Sequence, residues 1–245
     1  MITKELLDSR IASNLDRDTQ GMSIEETLRY LSEAFPSSIV FSTSFGLEDQ
    51  VITDMIFTAE LPILVFTLDT GRHFEETYKT MNRTLAKYDK KIKVCFPDTD
   101  QVERMVSQKG PFSFYESVEN RKECCHIRKV EPLRKVLATA SCWITGLRAG
   151  QSAARTELSR FTYDAENQVI KYNPLVSWTL EQTQDYLKEN HVPHNVLHDR
   201  GFPSIGCAPC TRAVAEGEDI RSGRWWWENN TSRECGLHTN DQNHS

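Results

Sequence analysis

Between residues 23 and 190 short apolar runs alternate with amphipathic stretches, and this alternation limits the fold more than any other feature. Residues 38–41 (SIVF), 62–68 (PILVFTL), 91–96 (KIKVCF), 142–145 (CWIT) and 169–172 read as strands, being short and rich in β-branched or aromatic residues. Residues 49–60, 74–88, 100–107 and 119–138 read as helices, and Pro132 should bend or divide the last of them. Ser23 with Glu26, and Thr179 with Gln182, carry a helix-capping signature. The first pair opens a helix in which Ile24, Leu28 and Leu31 recur and which Pro36 stops; the second opens one that runs to about Asn190. Strands separated by helices predict an α/β fold with a mostly parallel sheet covered by helices on both faces. Ligands of such sheets sit in loops beyond the carboxyl ends of the strands. Here those loops are 42–49, 69–72 and 146–155.

After about residue 195 the texture changes. Gly201, Pro203, Gly206 and Pro209 interrupt any regular element, and Trp225-Trp226-Trp227 and a polar end follow. Residues 1–195 therefore read as a nucleotide-binding-type α/β domain and 196–245 as a C-terminal appendage lying over it, with the tryptophans as its hydrophobic anchor. No internal repeat or low-complexity block is present.

The 245 residues include 38% hydrophobic and 26% charged types, a soluble globular balance. A net charge of −6 disfavours nucleic-acid binding, which relies on a positive surface. No apolar run approaches the ~18–20 residues of a membrane span, and the N-terminus (MITKELLDSR) lacks the apolar core of a signal peptide. A cytoplasmic protein without membrane or nucleic-acid partners is expected. Seven cysteines in such a chain point to metal, redox or nucleophilic chemistry rather than to a disulfide framework.

Cys124-Cys125 and Cys207-Ala-Pro-Cys210 supply four thiolates, the number that tetrahedral zinc and a [4Fe–4S] cluster both require. Adjacent Cα atoms lie about 3.8 Å apart, so paired sulfurs serve two irons more easily than two corners of one zinc. Two buried cysteines and an accidental C-x-x-C are the ordinary alternative. Arg128 and Lys129 follow Cys124 and Cys125 by four residues each, so on an α-helix each pair would share a face. There they could offset the negative charge of a cluster and reach an anionic substrate. Without the cysteines they would read as a solvated helical face.

Ser42-Thr43-Ser44-Phe45-Gly46-Leu47-Glu48-Asp49 joins a strand to a helix. Small residues and Gly at such a junction let backbone N–H groups approach a phosphate. The turn lacks the Lys and second Gly of a Walker A loop. Leu68-Asp69-Thr70-Gly71-Arg72 is a second turn of this kind. Arg148, Arg155, Arg221 and Arg224 are candidates for binding sulfate or phosphate with two bonds apiece. Glu234-Cys235-Gly236-Leu237-His238 places a thiol in a polar tail, where it can serve as a nucleophile or be a stray surface cysteine. His238 is a general base, a thiolate partner or a bystander. Cys95 and Cys142 fall in strands and read as inert core residues.

Taken together, Cys-Cys-x-x-Arg-Lys, Gly-Cys-x-Pro-Cys-Thr-Arg, Ser-Phe-Gly-x-Glu-Asp, Leu-Asp-Thr-Gly-Arg and Glu-Cys-Gly-Leu-His resemble the iron–sulfur adenylyl-sulfate (APS) reductases of the PAPS reductase family. The resemblance runs from about Phe41 to His238. It implies an adenine nucleotide α-hydrolase-like fold related to the PP-loop ATPases, with a turn at 42–49 that no longer cleaves ATP. It implies Cys124, Cys125, Cys207 and Cys210 as ligands of one [4Fe–4S] cluster, and Lys129 as a bridge between the cluster and the substrate sulfate. Ser44, Phe45, Gly46, Gly71 and Gly146 would line the nucleotide pocket. Arg155, Arg221 and Arg224 would contact its anionic groups, and Cys235 would be the nucleophile. The partners implied are APS, thioredoxin as reductant, and further copies of the chain in a homo-oligomer. The alternatives are a PAPS or dual-substrate reductase, a tRNA-thiolating PP-loop enzyme, which should be basic, and a zinc-stapled interaction module.

Overall fold

The computed structural model describes residues 2–151 and 158–228. Six strands form one sheet in the order β3-β2-β1-β4-β6-β5. They are β1 (Ile39–Ser42), β2 (Leu64–Leu68), β3 (Lys93–Cys95), β4 (Cys142–Ile144), β5 (Phe161–Asp164) and β6 (Val169–Tyr172). Every pairing is parallel except that of β5 with β6. The chain builds outward from β1 through β2 to β3, then returns to place β4 on the other side of β1. The order therefore reverses between β1 and β4, and a crevice opens beyond their carboxyl ends.

Alternation along the strands sorts side chains to two faces. Ile39, Phe41, Val65, Cys142, Ile144, Ile170 and Tyr172 enter the larger core. Val40, Phe66, Trp143 and Val169 pack on the opposite face against Leu133, Val136 and Leu137. Those three residues belong to α7 (Glu131–Leu137). The larger core is closed by α1 (Ser9–Asp18), α2 (Ile24–Ala34), α3 (Leu47–Thr58) and α8 (Leu180–Glu189). α3 is buried along nearly its whole length, which explains why its apolar residues show no single stripe. The remaining helices are α4 (Glu75–Tyr88), α5 (Thr99–Lys109) and α6 (Val118–Cys125).

Both capping boxes are present, on α2 through Ser23 and Glu26 and on α8 through Thr179 and Gln182. The expected long helix over 119–138 is divided just ahead of Pro132. α6 ends at Cys125, a π-helical segment spans His126–Val130, and α7 follows. Val130 and Glu131 keep helical dihedrals, so the chain runs helically from the π-segment into α7, and Pro132, which has no N–H to donate, follows two residues after the π-segment. The break falls immediately after the cysteine pair, consistent with the tendency of π-segments to occur at functional sites.

A third cluster lies beyond the sheet, where Met105, Phe114, Cys124, Ile127, Cys207, Cys210 and Trp225 pack together. Trp225 is sandwiched there between the Arg121 and Arg224 guanidinium groups, each 4.7 Å from its ring. Trp227 packs on Tyr115, whereas Trp226 is largely exposed.

Candidate active site

A cavity of about 500 Å³ opens at the reversal point between β1 and β4. Ser44, Gly46, Lys129, Gly146, Arg221 and Arg224 all line it. The loop after β1 is held by its own polar groups. The Ser44 backbone N–H and hydroxyl both donate to Asp49 Oδ2, at 2.6 and 2.7 Å. Phe45 takes a left-handed backbone (φ 61°) and donates its N–H to Thr43 Oγ1. Its ring is buried in the larger core rather than among the lining side chains. Gly46 caps α3 without a side-chain bond.

Asp49 is buried, and burial pushes its carboxyl up to about 6 despite the two Ser44 bonds. A Cβ on Gly146 would collide with Asp49 Oδ1, so only glycine lets the β4 loop approach the β1 loop this closely. Next to it, Arg148 Nε donates to Glu48 Oε1 at 3.0 Å, and both side chains are largely withdrawn from solvent.

The turn after β2 has a different job. Asp69 Oδ1 accepts from the Gly71 N–H and the Tyr78 hydroxyl. Gly71 has a φ of 69° and does not line the cavity. Thr70 Oγ1 lies 3.3 Å from Cys207 Sγ, and the Arg72 carbonyl accepts from the Ala208 N–H at 2.8 Å. The turn therefore fastens the Cys207–Cys210 segment to the sheet edge.

Arg128 is buried rather than part of a solvated face, and its Nη1 donates to the Thr70 carbonyl at 2.6 Å. Its charge also acts on the Cys124 thiol, opposing the upward shift that burial imposes. Cys124, Cys207 and Cys210 are buried free thiols, with Cys125 half-buried beside them. Burial and the nearby Cys207 push the Cys210 thiol up to about 12, while Lys129 and Arg224 pull it back. Lys129 thus lines the cavity while its charge acts on the thiol cluster behind it.

Among the described residues no three His, Cys, Asp or Glu side chains are spaced to hold a single metal ion. One tetrahedral ion with bonds of about 2.3 Å would need its sulfurs about 3.8 Å apart. The donor set here is thiols gathered in an apolar shell, the soft ligand type that iron–sulfur clusters take. Cys95 is half-buried, and Cys142 is fully buried with its thiol pushed up by desolvation. Arg155, Cys235 and His238 lie outside the described residues. The roles of Asp49 and Glu48 in this region were not read from the sequence. Acidic residues are common in the first turn of a helix.

Fold and cavity define an open α/β protein with a crevice at a strand-order reversal and a buried thiol cluster behind the crevice wall. The family model for the phosphoadenosine phosphosulfate reductase domain matches residues 38–213. An adenosine 5′-phosphosulfate reductase of Agrobacterium fabrum is 46% identical over 226 residues, covering 92% of this chain and 86% of that protein. The crystal structure of a phosphoadenylyl-sulfate (PAPS) reductase from Candida auris is similar, with a TM-score of 0.72 and 29% identity over 85% of this chain and 98% of that one. Yeast FAD synthetase shares the fold, with a TM-score of 0.54 and 14% identity over 84% of this chain and 70% of that one. The chain belongs to the phosphoadenosine phosphosulfate reductase family.

Proposed function

We propose that this chain reduces adenylyl sulfate (APS) to sulfite and AMP, with Cys235 as nucleophile and thioredoxin as reductant. The observation that carries the reading is Lys129, which lines the crevice and whose charge reaches Cys210. A sulfate ester beside a set of thiolates is costly to bury unless a cation stands between them. The relative from Agrobacterium fabrum is named for APS, and this supports APS as the substrate. PAPS is the second reading, supported by the name of the Candida auris structure at lower identity.

In this reading the Cys235 thiolate attacks the sulfate sulfur of APS. A sulfur–sulfur bond forms, the bond from sulfur to the phosphate oxygen breaks, and AMP leaves with the electron pair. The chain then carries a cysteine S-sulfonate. A thioredoxin thiolate attacks the Cys235 sulfur, and sulfite departs with the pair of the broken sulfur–sulfur bond. The second thioredoxin thiol resolves the mixed disulfide, so both electrons come from one dithiol.

Ser44, Gly46 and Gly146 receive the nucleotide on the crevice floor, with Phe45 and Gly71 shaping the two turns from behind. Arg155, Arg221 and Arg224 meet its anionic groups. Cys124, Cys125, Cys207 and Cys210 would hold a [4Fe–4S] cluster, which when bound supplies fixed charge and a staple between α6 and the appendage at 196–245. Lys129 holds the sulfate against that charge. The working form in this reading is a cytoplasmic homo-oligomer.

The test is an anaerobic assay with APS and reduced thioredoxin. Sulfite and AMP should appear in equal amounts, and Cys235→Ser should bind AMP yet release no sulfite. Absence of sulfite from the wild-type protein under these conditions would refute the reading. Consumption of PAPS in preference to APS would transfer it to the second substrate.

A further inference from the structure

The turn at 111–115 and the end of the appendage bring four aromatic rings together at the surface. Ring centroids of Phe112 and Tyr115 lie 6.3 Å apart, those of Tyr115 and Trp227 4.5 Å, and those of Trp227 and Trp226 5.7 Å. Phe112, Tyr115 and Trp226 are 61%, 40% and 49% exposed. The patch stands on fixed supports. Phe114 is buried and packs on both Tyr115 and Trp227. Arg72 holds the turn to the sheet edge, its guanidinium 5.0 Å from the Phe114 ring and its Nη2 donating to the Pro111 carbonyl at 2.6 Å. The Tyr115 hydroxyl donates to the Pro209 carbonyl at 2.6 Å, inside the Cys207–Cys210 segment. A contiguous, well-supported aromatic patch marks an interaction site where single exposed rings would not.

Three occupants come into question. The end of the chain itself has little to cover the rings with, because residues 229–245 hold one large apolar side chain, Leu237. A second copy is a poor match by area. The exposed parts of Phe112, Tyr115 and Trp226 offer roughly 300 Å², far below the about 800 Å² that a stable interface takes from each partner. The third occupant is the protein dithiol that the proposed reaction uses. Redox encounters lie at the small end of interface sizes. Cys235 is nine positions beyond Trp226, at most about 32 Å of extended chain. A partner attacking the Cys235 sulfur therefore comes within that distance of the patch.

We propose that Phe112, Tyr115, Trp226 and Trp227 form the docking surface for the reductant, a small protein that presents a dithiol beside an apolar surface. The inference rests on the function proposed above and adds the place where its partner binds.

The test follows release of sulfite from the S-sulfonated holoprotein, with reduced thioredoxin and with dithiothreitol in separate assays. Phe112→Ala and Trp226→Ala should form the S-sulfonate from APS at the wild-type rate and should release sulfite to dithiothreitol at the wild-type rate. With thioredoxin each should raise the KM for that protein at least fivefold, and the double variant at least twentyfold. Trp226→Phe should recover most of the loss. The two positions lie on separate segments, so either one decides the matter should the other variant fail to fold. A wild-type KM for thioredoxin in the double variant overturns the proposal. An equal loss with dithiothreitol also overturns it, because the patch then serves the fold or the crevice rather than the partner. Dissociation of an oligomer in the variants, measured by sedimentation, overturns it in favour of a second copy. Faster proteolysis within 229–245 overturns it in favour of the end of the chain. A wild-type protein that forms no S-sulfonate from APS overturns the reaction itself.

Discussion

Lys129 lines the crevice while its charge reaches Cys210 and opposes the upward shift that burial imposes on that thiol. The π-segment His126–Val130 positions it there, one residue beyond Arg128, which turns instead to the Thr70 carbonyl. Two neighbouring cations are thus divided between holding the scaffold and facing the crevice. Lys129→Ala should lower kcat for sulfite release by a hundredfold or more while changing the melting temperature little. Lys129→Arg should recover part of the rate. Near-wild-type turnover by the alanine variant, with iron content unchanged, would remove Lys129 from the mechanism.

Gly146 and Asp49 are packed so closely that no side chain fits between them. Gly146→Ala must push the Asp49 carboxylate or the β4 loop aside, at a cost of about 1–3 kcal/mol. The displaced carboxylate also releases Ser44, so AMP affinity should fall at least tenfold. Calorimetric titration with AMP, alongside chemical denaturation, measures both effects.

Asp49 has a definite pH signature. Its folded pKa of about 6 lies above the ordinary 3.8, so the native state prefers the protonated form. Its contribution to stability is therefore complete below pH 3.8 and declines as pH rises toward 6. Asp49→Asn keeps an acceptor for Ser44 without the charge. Wild type minus variant stability should fall by up to about 3 kcal/mol between pH 4 and 7. Denaturation curves whose difference is flat across that range would contradict the assignment.

Arg121 and Glu228 form a buried two-bond pair at 2.8 and 2.9 Å. Removing one partner leaves an uncompensated charge, so Glu228→Ala should cost about 3–5 kcal/mol. Replacing both with Met and Leu should restore much of the loss, because neither charge then remains buried. A double variant no more stable than the single one would show that the pair is irreplaceable.

Where the apolar pattern was dense, the fold was legible from sequence. β6 has the same bounds as the run at 169–172, and both capping boxes announce their helices. α1 escaped notice because only Ala12 and Leu15 of its ten residues are buried, too thin a stripe to register. β5 (FTYD) is an edge strand with one buried residue, so it shows no alternation. In the site, glycine and cysteine spacing marked the turns and the thiols. The division of labour between Arg128 and Lys129 was not legible, because a π-segment changes which residues share a face and has no sequence signature. The Gly146–Asp49 contact and the Glu48–Arg148 pair join residues about 100 apart in the chain, and only the sheet topology brings them together.

The grip of Arg121 on Glu228 also ties the last described residue of the chain to α6. Cys235 lies seven positions beyond that anchored carboxylate, a span of at most about 25 Å at full stretch. In the proposed reaction that span is a ceiling on the distance between the nucleophile and its anchor. Cutting the anchor would lift the ceiling without touching a single atom that reacts.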